Sequence, residues 1–285
     1  MSLSHTLLAI FINLVWGSMF IVATIALREF PPILFTGIRF TLLTLILVAF
    51  IPVPRHLLLP LFRVGLVLGV GMYLTLYLSL SLAENTAAIA IVGKLEVPFS
   101  ILLGVLILGE RIGIRRTAGI TIAMAGALMI GFDPAALDDL PALWWMAISS
   151  AFGALSMIMV RQLREVHPFT ITAWMSLIGA PTMLLLSAIM ESDHLSYIQN
   201  ASLTGWTMLA YTIVMGSIIS HTTMYYLLQR NDVSKVSPFF LLSPVFAVIG
   251  GVWLLDDVLT PALIAGGVLV LFGVGWINQR GNKKC

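Results

Sequence analysis

The chain has 285 residues, 59% of them hydrophobic and only 10% charged, with a mean hydropathy of +1.03. That is too little charge to clothe an ordinary soluble surface, which excludes a soluble fold. The net charge of +2 does not point to nucleic acid, because the basic residues lie between apolar runs, and the lone Cys285 excludes an internal disulfide or thiolate metal site.

A bilayer core about 30 Å thick is crossed by around 20 apolar residues. Charges, Pro and Gly divide this chain at about that interval, so an all-α integral membrane protein with ten transmembrane helices is expected. The segments are Thr6–Leu27, Ile33–Ile51, Arg63–Leu82, Ala87–Gly109, Thr117–Gly131, Pro141–Val160, Phe169–Met190, Thr204–Leu228, Val236–Leu255 and Ala262–Ile277. No charged n-region precedes the first run and no small-residue cleavage site follows it, so it is expected to be a retained helix.

In the first segment Trp16, Gly17 and Ser18 form a site where a small residue lets helices approach. Arg39 in the second segment is expected in a structural ion pair. Tyr73 and Tyr77 in the third share one face at i, i+4 and need hydrogen-bond partners. Lys94 and Glu96 fall well inside the fourth, where an unpaired charge costs about 2.5 to 3.5 kcal/mol. Two residues apart is about 200° on a helix, so they do not pair with each other. Two readings remain open: Lys94 snorkels while Glu96 pairs with Arg39, or at least one of them lines a cavity and meets a charged substrate. Pro98 interrupts this segment, and Pro181 and Pro244 interrupt the seventh and ninth. Trp144 and Trp145 resemble an interfacial belt. Trp174, Tyr211, Tyr225 and Tyr226 extend the aromatic set, and His221, near Ser217 and Ser220, is an imidazole able to relay protons. Asp133, Asp138, Asp139, Glu191 and Asp193 are expected in solvated connections.

Lys and Arg mark the cytoplasmic side of membrane proteins. With ten segments, Arg55, Arg63, Arg111, Arg115, Arg116, Arg161, Arg164, Arg230, Lys235, Arg280, Lys283 and Lys284 fall on the side of both termini, and only Arg28 on the other. Both termini are therefore expected in the cytoplasm.

Lys94–Gly119 and Phe240–Gly266 resemble each other, with Pro98 matching Pro244, Glu110 matching Asp257, and Gly119 and Gly126 matching Gly266 and Gly273. Five segments per copy is an odd number, which makes the repeats inverted. Residues 1–131 and 141–277 are the expected repeats, and 278–285 a cytoplasmic tail.

With Trp16-Gly17-Ser18, Arg39 and the doubled Pro, acid and Gly pattern, the sequence resembles the EamA-type transporters of the drug/metabolite transporter superfamily. Asp256-Asp257 departs from the usual Gly-Glu. The resemblance implies two five-helix repeats and export of amino acids and other small metabolites from bacteria, with Trp16 at the cavity. Related groups carry sugar phosphates or nucleotide sugars. The expected function is a secondary transporter of the inner membrane working by alternating access, with amino acids or related compounds as cargo; sugar phosphates, nucleotide sugars and cationic drugs are the alternatives. An intramembrane enzyme is disfavoured because its nucleophile and metal motifs are missing, as is a nucleotide-binding loop. The expected substrate-binding set is Trp16, Ser18, Tyr73, Tyr77, Lys94, Glu96, Trp174, His221 and Tyr225, with Pro98 and Pro244 as gating breaks. No cofactor, metal or nucleic acid is expected; the partners are the substrate, the lipid bilayer and a coupling proton, in a monomer or homodimer.

Overall fold

The computed structural model describes residues 3–108, 113–131, 139–163, 165–221, 223–224, 227, 239 and 242–278, and the described residues are helical with no strand. In chain order the main helices are α1 (Leu3–Leu27), α2 (Pro32–Ile46), α3 (Arg55–Leu82), α4 (Thr86–Ile107) and α5 (Ile114–Gly131). They continue as α6 (Leu140–Gln162), α7 (Pro168–Met190), α8 (Leu203–Ile219), α9 (Leu242–Leu254) and α10 (Pro261–Asn278). A short helix, His194–Asn200, meets α8 at 99°. The helices α1, α3, α4, α6 and α7 are long and apolar enough to cross a membrane; α2, α5, α9 and α10 are shorter apolar helices. The third helix starts at Arg55 rather than at the expected Arg63. The remainder of the expected eighth segment and the start of the ninth lie largely outside the described residues.

The molecule exposes large apolar side chains and, within a mainly hydrophobic interior, buries polar ones. Leu45, Leu106, Leu185, Ile189 and Phe272 are exposed, whereas Asn13, Thr36, Arg39, Ser79, Ser149, Ser176 and Ser220 are buried. That distribution suits a hydrocarbon surrounding, where buried hydroxyls and amides hold helices together. The main packings cross between the two halves of the chain: α5 with α10, α2 with α7, α1 with α9, α3 with α6, and α4 with both α6 and α9. Glycines let α5 and α10 cross closely. A Cβ on Gly126 would lie 2.6 Å from the Gly266 carbonyl, one on Gly266 2.7 Å from that of Gly126, and one on Gly273 2.7 Å from that of Gly119. The glycines shared by the two sequence copies are thus spent on one seam.

Two helices contain wide π turns, Gly65–Met72 in α3 and Thr212–Ile219 in α8. Such turns free carbonyls from the regular ladder.

At one end of the bundle, carboxylates cap helices of the opposite half. Glu191, just after α7, accepts from Ile33 N at 2.9 Å and Leu34 N at 2.8 Å in the first turn of α2. Glu29 accepts from Ser202 N at 2.6 Å and its hydroxyl at 2.7 Å, ahead of α8. Asp139 takes the amides of Glu84 and Asn85, and Asp257 that of Ala87, at the start of α4. First-turn amides have no partner within their own helix and attract anions, so these acids complete the helix ends. Asp139 and Glu191 are therefore structural, correcting their reading as solvated connections; Asp133 and Asp138 lie outside the described residues.

Candidate functional site

The fourth segment is not one continuous α-helix. Thr86–Val92 is followed by a 3-10 turn at Gly93–Leu95, and the α-helix resumes at Glu96. Pro98 explains the break. It has no N–H to offer the carbonyl four residues back, that of Lys94, and its ring clashes there, but it fits the first turn of a restarting helix. Ser150 of α6 supplies a donor to the Gly93 carbonyl at 3.3 Å. Pro244 holds the same third position in α9; the residues just before that helix lie outside the described ones.

The break carries Lys94 at its centre and Glu96 at its rim. Both are partly buried, and no ion pair or hydrogen bond joins either to another described residue. Their charges are close enough to interact. Glu96 lies over Gly153 of α6, where an added Cβ would come within 3.0 Å of its Oε1. Gly93 is held equally close, a Cβ there meeting Met146 at 2.6 Å and Phe20 of α1 at 3.9 Å. The break therefore opens on the contact of α4 with α6, beside α1, a crevice in which Glu96 faces Gly153 with Lys94 within electrostatic reach of it.

A second polar centre joins α2, α3 and α8. The Arg39 guanidinium, 3% exposed, donates to Tyr77 Oη at 2.7 Å and to Ser217 Oγ at 2.7 Å. It also reaches the Thr212 carbonyl at 3.5 Å, the first residue of the π turn in α8. Its carbon lies 4.9 Å from the centre of the Tyr73 ring, a cation–π contact. Tyr73 and Tyr77 stack with their centres 6.1 Å apart. The expected ion pair of Arg39 with Glu96 is corrected here: hydroxyls, a carbonyl and ring faces supply its acceptors, and no carboxylate bonds it among the described residues. Arg39 Nε is buried without a hydrogen-bond partner.

Ser217 connects this centre to His221. Its carbonyl accepts from His221 Nδ1 at 3.1 Å, and a carbonyl can only accept, so Nδ1 carries a proton and Nε2 is left to exchange one. The His221 ring meets Trp16 edge to face at 6.2 Å. Ser18 bonds the Val15 carbonyl and lies 2.8 Å from the Tyr211 hydroxyl, so it ties α1 to α8. Gly17 serves another helix, its Cβ position lying 2.6 Å from the Ser243 carbonyl before α9's second turn.

Two expected site residues stand apart. Trp174 donates to the Ile51 carbonyl at 3.0 Å and packs beside Leu61, Val64 and Ile171, so it is a peripheral tie and not part of either centre. Its single N–H finds an acceptor just past the end of α2, which removes the need for a cavity partner. Tyr225 lies outside the described residues. Gly153, Ser150 and Phe20 were missed, because a glycine or serine in an apolar helix carries no signal of which neighbour it faces.

Residues 3–132 and 140–279 each match the EamA-like transporter family. A probable amino-acid metabolite efflux pump of Salmonella typhimurium is 27% identical, over 99% of this chain and 96% of the relative. A protein of the same description from Escherichia coli K12 shows the same identity and coverage, and the uncharacterized inner membrane transporter YedA of that strain is 26% identical over 90% of this chain and 85% of its own. A solved structure, described only as the crystal structure of a protein, superposes with a TM-score of 0.67 at 19% identity, covering 97% of this chain and 96% of that one, which speaks for the fold alone. Matched twice over, along nearly its whole length, the chain belongs to the EamA-like transporter family.

Proposed function

We propose that this transporter is a secondary carrier that exports small metabolites, amino acids foremost, across the inner membrane by alternating access. Its ten helices form two inverted five-helix repeats, residues 1–131 and 141–277, with both termini and the tail 278–285 in the cytoplasm. Several features support that plan. Helix packings cross between halves, Gly126 and Gly266 meet reciprocally, and the two π turns are separated in sequence by the same interval as Gly119 and Gly266.

The observation that carries the functional proposal is the broken fourth helix, which holds a lysine and a glutamate, unpaired among the described residues, in a crevice deep within the bundle. A charge that far from the helix ends is retained where it meets a partner or a watery path. An α-amino acid offers both: its carboxylate suits Lys94 Nζ, and its ammonium, or a coupling proton, suits Glu96. Phe20 walls the crevice from α1 beside Gly93, and His221, in ring contact with Trp16, also on α1, is a second proton-exchanging group. The names of the efflux-pump relatives point the same way.

The test is uptake of a labelled amino-acid panel into proteoliposomes, with and without a pH gradient. Saturable uptake is expected, lost in Lys94→Ala while the variant inserts and folds normally. Undiminished flux in that variant overturns the proposed site. A folded protein that carries no member of the panel overturns the amino-acid proposal and turns attention to sugar phosphates or cationic drugs.

A further inference from the structure

A cavity of about 160 Å³ opens at the end of the bundle where the carboxylates cap the helices. Its wall includes Thr24 and Arg28 at the end of α1, Ser81 in the last turn of α3, Glu84 just after it, Thr86 at the start of α4, and Asp257 between α9 and α10. By volume it holds roughly five waters, room for a small polar molecule with any longer substituent projecting outward. It lies directly beyond the Lys94 crevice. Thr24 and Thr86 bring their hydroxyls to 3.3 Å, and Phe20, one turn from Thr24 on α1, reaches Gly93, two turns from Thr86 on α4, so a stretch of α1–α4 contacts about 10 Å long separates the two spaces.

The charges around this cavity are of both signs. Arg28 and Glu84 are exposed, and no hydrogen bond or ion pair joins either side chain to another described residue. Asp257 is 7% exposed and accepts from Ala87 N at 2.8 Å through Oδ2. A carboxylate has about four acceptor directions, so its capacity is not exhausted. Burial pushes the Asp257 carboxyl above its ordinary range despite amide donors from Ala87 and Thr86, as expected of a carboxylate short of positive charge.

We infer that this cavity is a second, shallow substrate site, an exit vestibule that receives a zwitterionic α-amino acid with its ammonium toward Asp257 and Glu84 and its carboxylate toward Arg28. The inference rests on the amino-acid proposal above and adds a station to it. Two acids and one base fit a zwitterion or a cation better than an anion, and the lone guanidinium selects the zwitterion. The outward step then becomes a transfer between two sites that each offer one positive and at least one negative group, so the substrate's charges are never without partners on the way out.

The experiment places a reporter thiol on the wall. Purified full-length protein carrying Ser81→Cys and Cys285→Ser is labelled with a maleimide in detergent, with and without alanine. At about ten times its dissociation constant, alanine is expected to slow labelling roughly tenfold. The slowing is expected to persist in Lys94→Ala, to shrink below about twofold in Arg28→Ala and in Asp257→Asn, and to be weaker with alanine methyl ester or N-acetylalanine, which each lack one charge. Arg28 is exposed, so its removal leaves the fold in place. Protection that disappears in Lys94→Ala but survives Arg28→Ala overturns the vestibule, since it reports the deeper crevice. Transport of any panel member with no protection by alanine overturns the vestibule alone; absence of both transport and protection overturns it together with the amino-acid proposal.

Discussion

Arg39 shows how a buried cation is held with no acid among the described residues: two hydroxyls, the carbonyl of Thr212 at the start of a π turn and the faces of two tyrosines share the charge. Removing one acceptor leaves a charged donor unpaired, which costs about 1.5 to 3 kcal/mol for bonds of this class. Tyr77→Phe is therefore expected to lower the thermal unfolding temperature in detergent by several degrees, and no change in that temperature contradicts the role given to Tyr77. Gly153 calls for the opposite pattern. The atom that its Cβ would meet is the free end of the Glu96 side chain, which can swing aside, so Gly153→Ala is expected to unfold within about 1 kcal/mol of the parent. Its transport, measured in proteoliposomes, is expected to fall at least tenfold. Of this centre the sequence disclosed the charged and aromatic members and their depth, because charge inside an apolar run stands out. It did not disclose the partners: which hydroxyls Arg39 would find, or that Trp174 would spend its N–H on Ile51, depends on helix rotations that no local pattern encodes.

The helices themselves were largely legible, since hydropathy and punctuation placed their bounds within a few residues except at the start of α3, where Arg55 and His56 mask a helical entry. The break at Gly93–Leu95 could be anticipated from Pro98, whereas the π turns carry no residue signature beyond their glycines. The capping acids were misread because Glu191 and Ile33 lie far apart in sequence. Asp257 gives this level a pH test. Its carboxyl is raised from an ordinary value of 3.8, with burial the leading cause, so the folded protein keeps the proton after the unfolded chain has lost it. That contribution to stability is complete below 3.8 and is lost as pH rises through the folded value. Thermal unfolding of the parent and of Asp257→Asn, followed upward from about pH 4, is expected to show the parent losing ground relative to the variant. A constant difference across that range contradicts the shifted carboxyl.

Across the whole molecule, the seam of α5 and α10 is a join between halves in which backbone meets backbone. Gly126→Leu sets a side chain against the Gly266 carbonyl, which cannot move aside as a side-chain tip would. A destabilisation of at least about 1 to 3 kcal/mol is expected, read as earlier aggregation on heating in detergent; an unchanged profile means the seam can part. The order of glycines, prolines and acids in the two copies was visible in the sequence, but not that all four glycines belong to one contact. The capped end has a consequence for biogenesis. Glu29, Asp139, Glu191 and Asp257 each take main-chain amides at the ends of other helices, joined by hydroxyls at Glu29 and Glu191. Orientation during insertion is read from basic residues and hardly at all from acidic ones. A fold that gives its acids backbone donors can close that end firmly with Arg28 as its one expected basic residue, and so leaves the signal that orients the nascent chain almost uncontested.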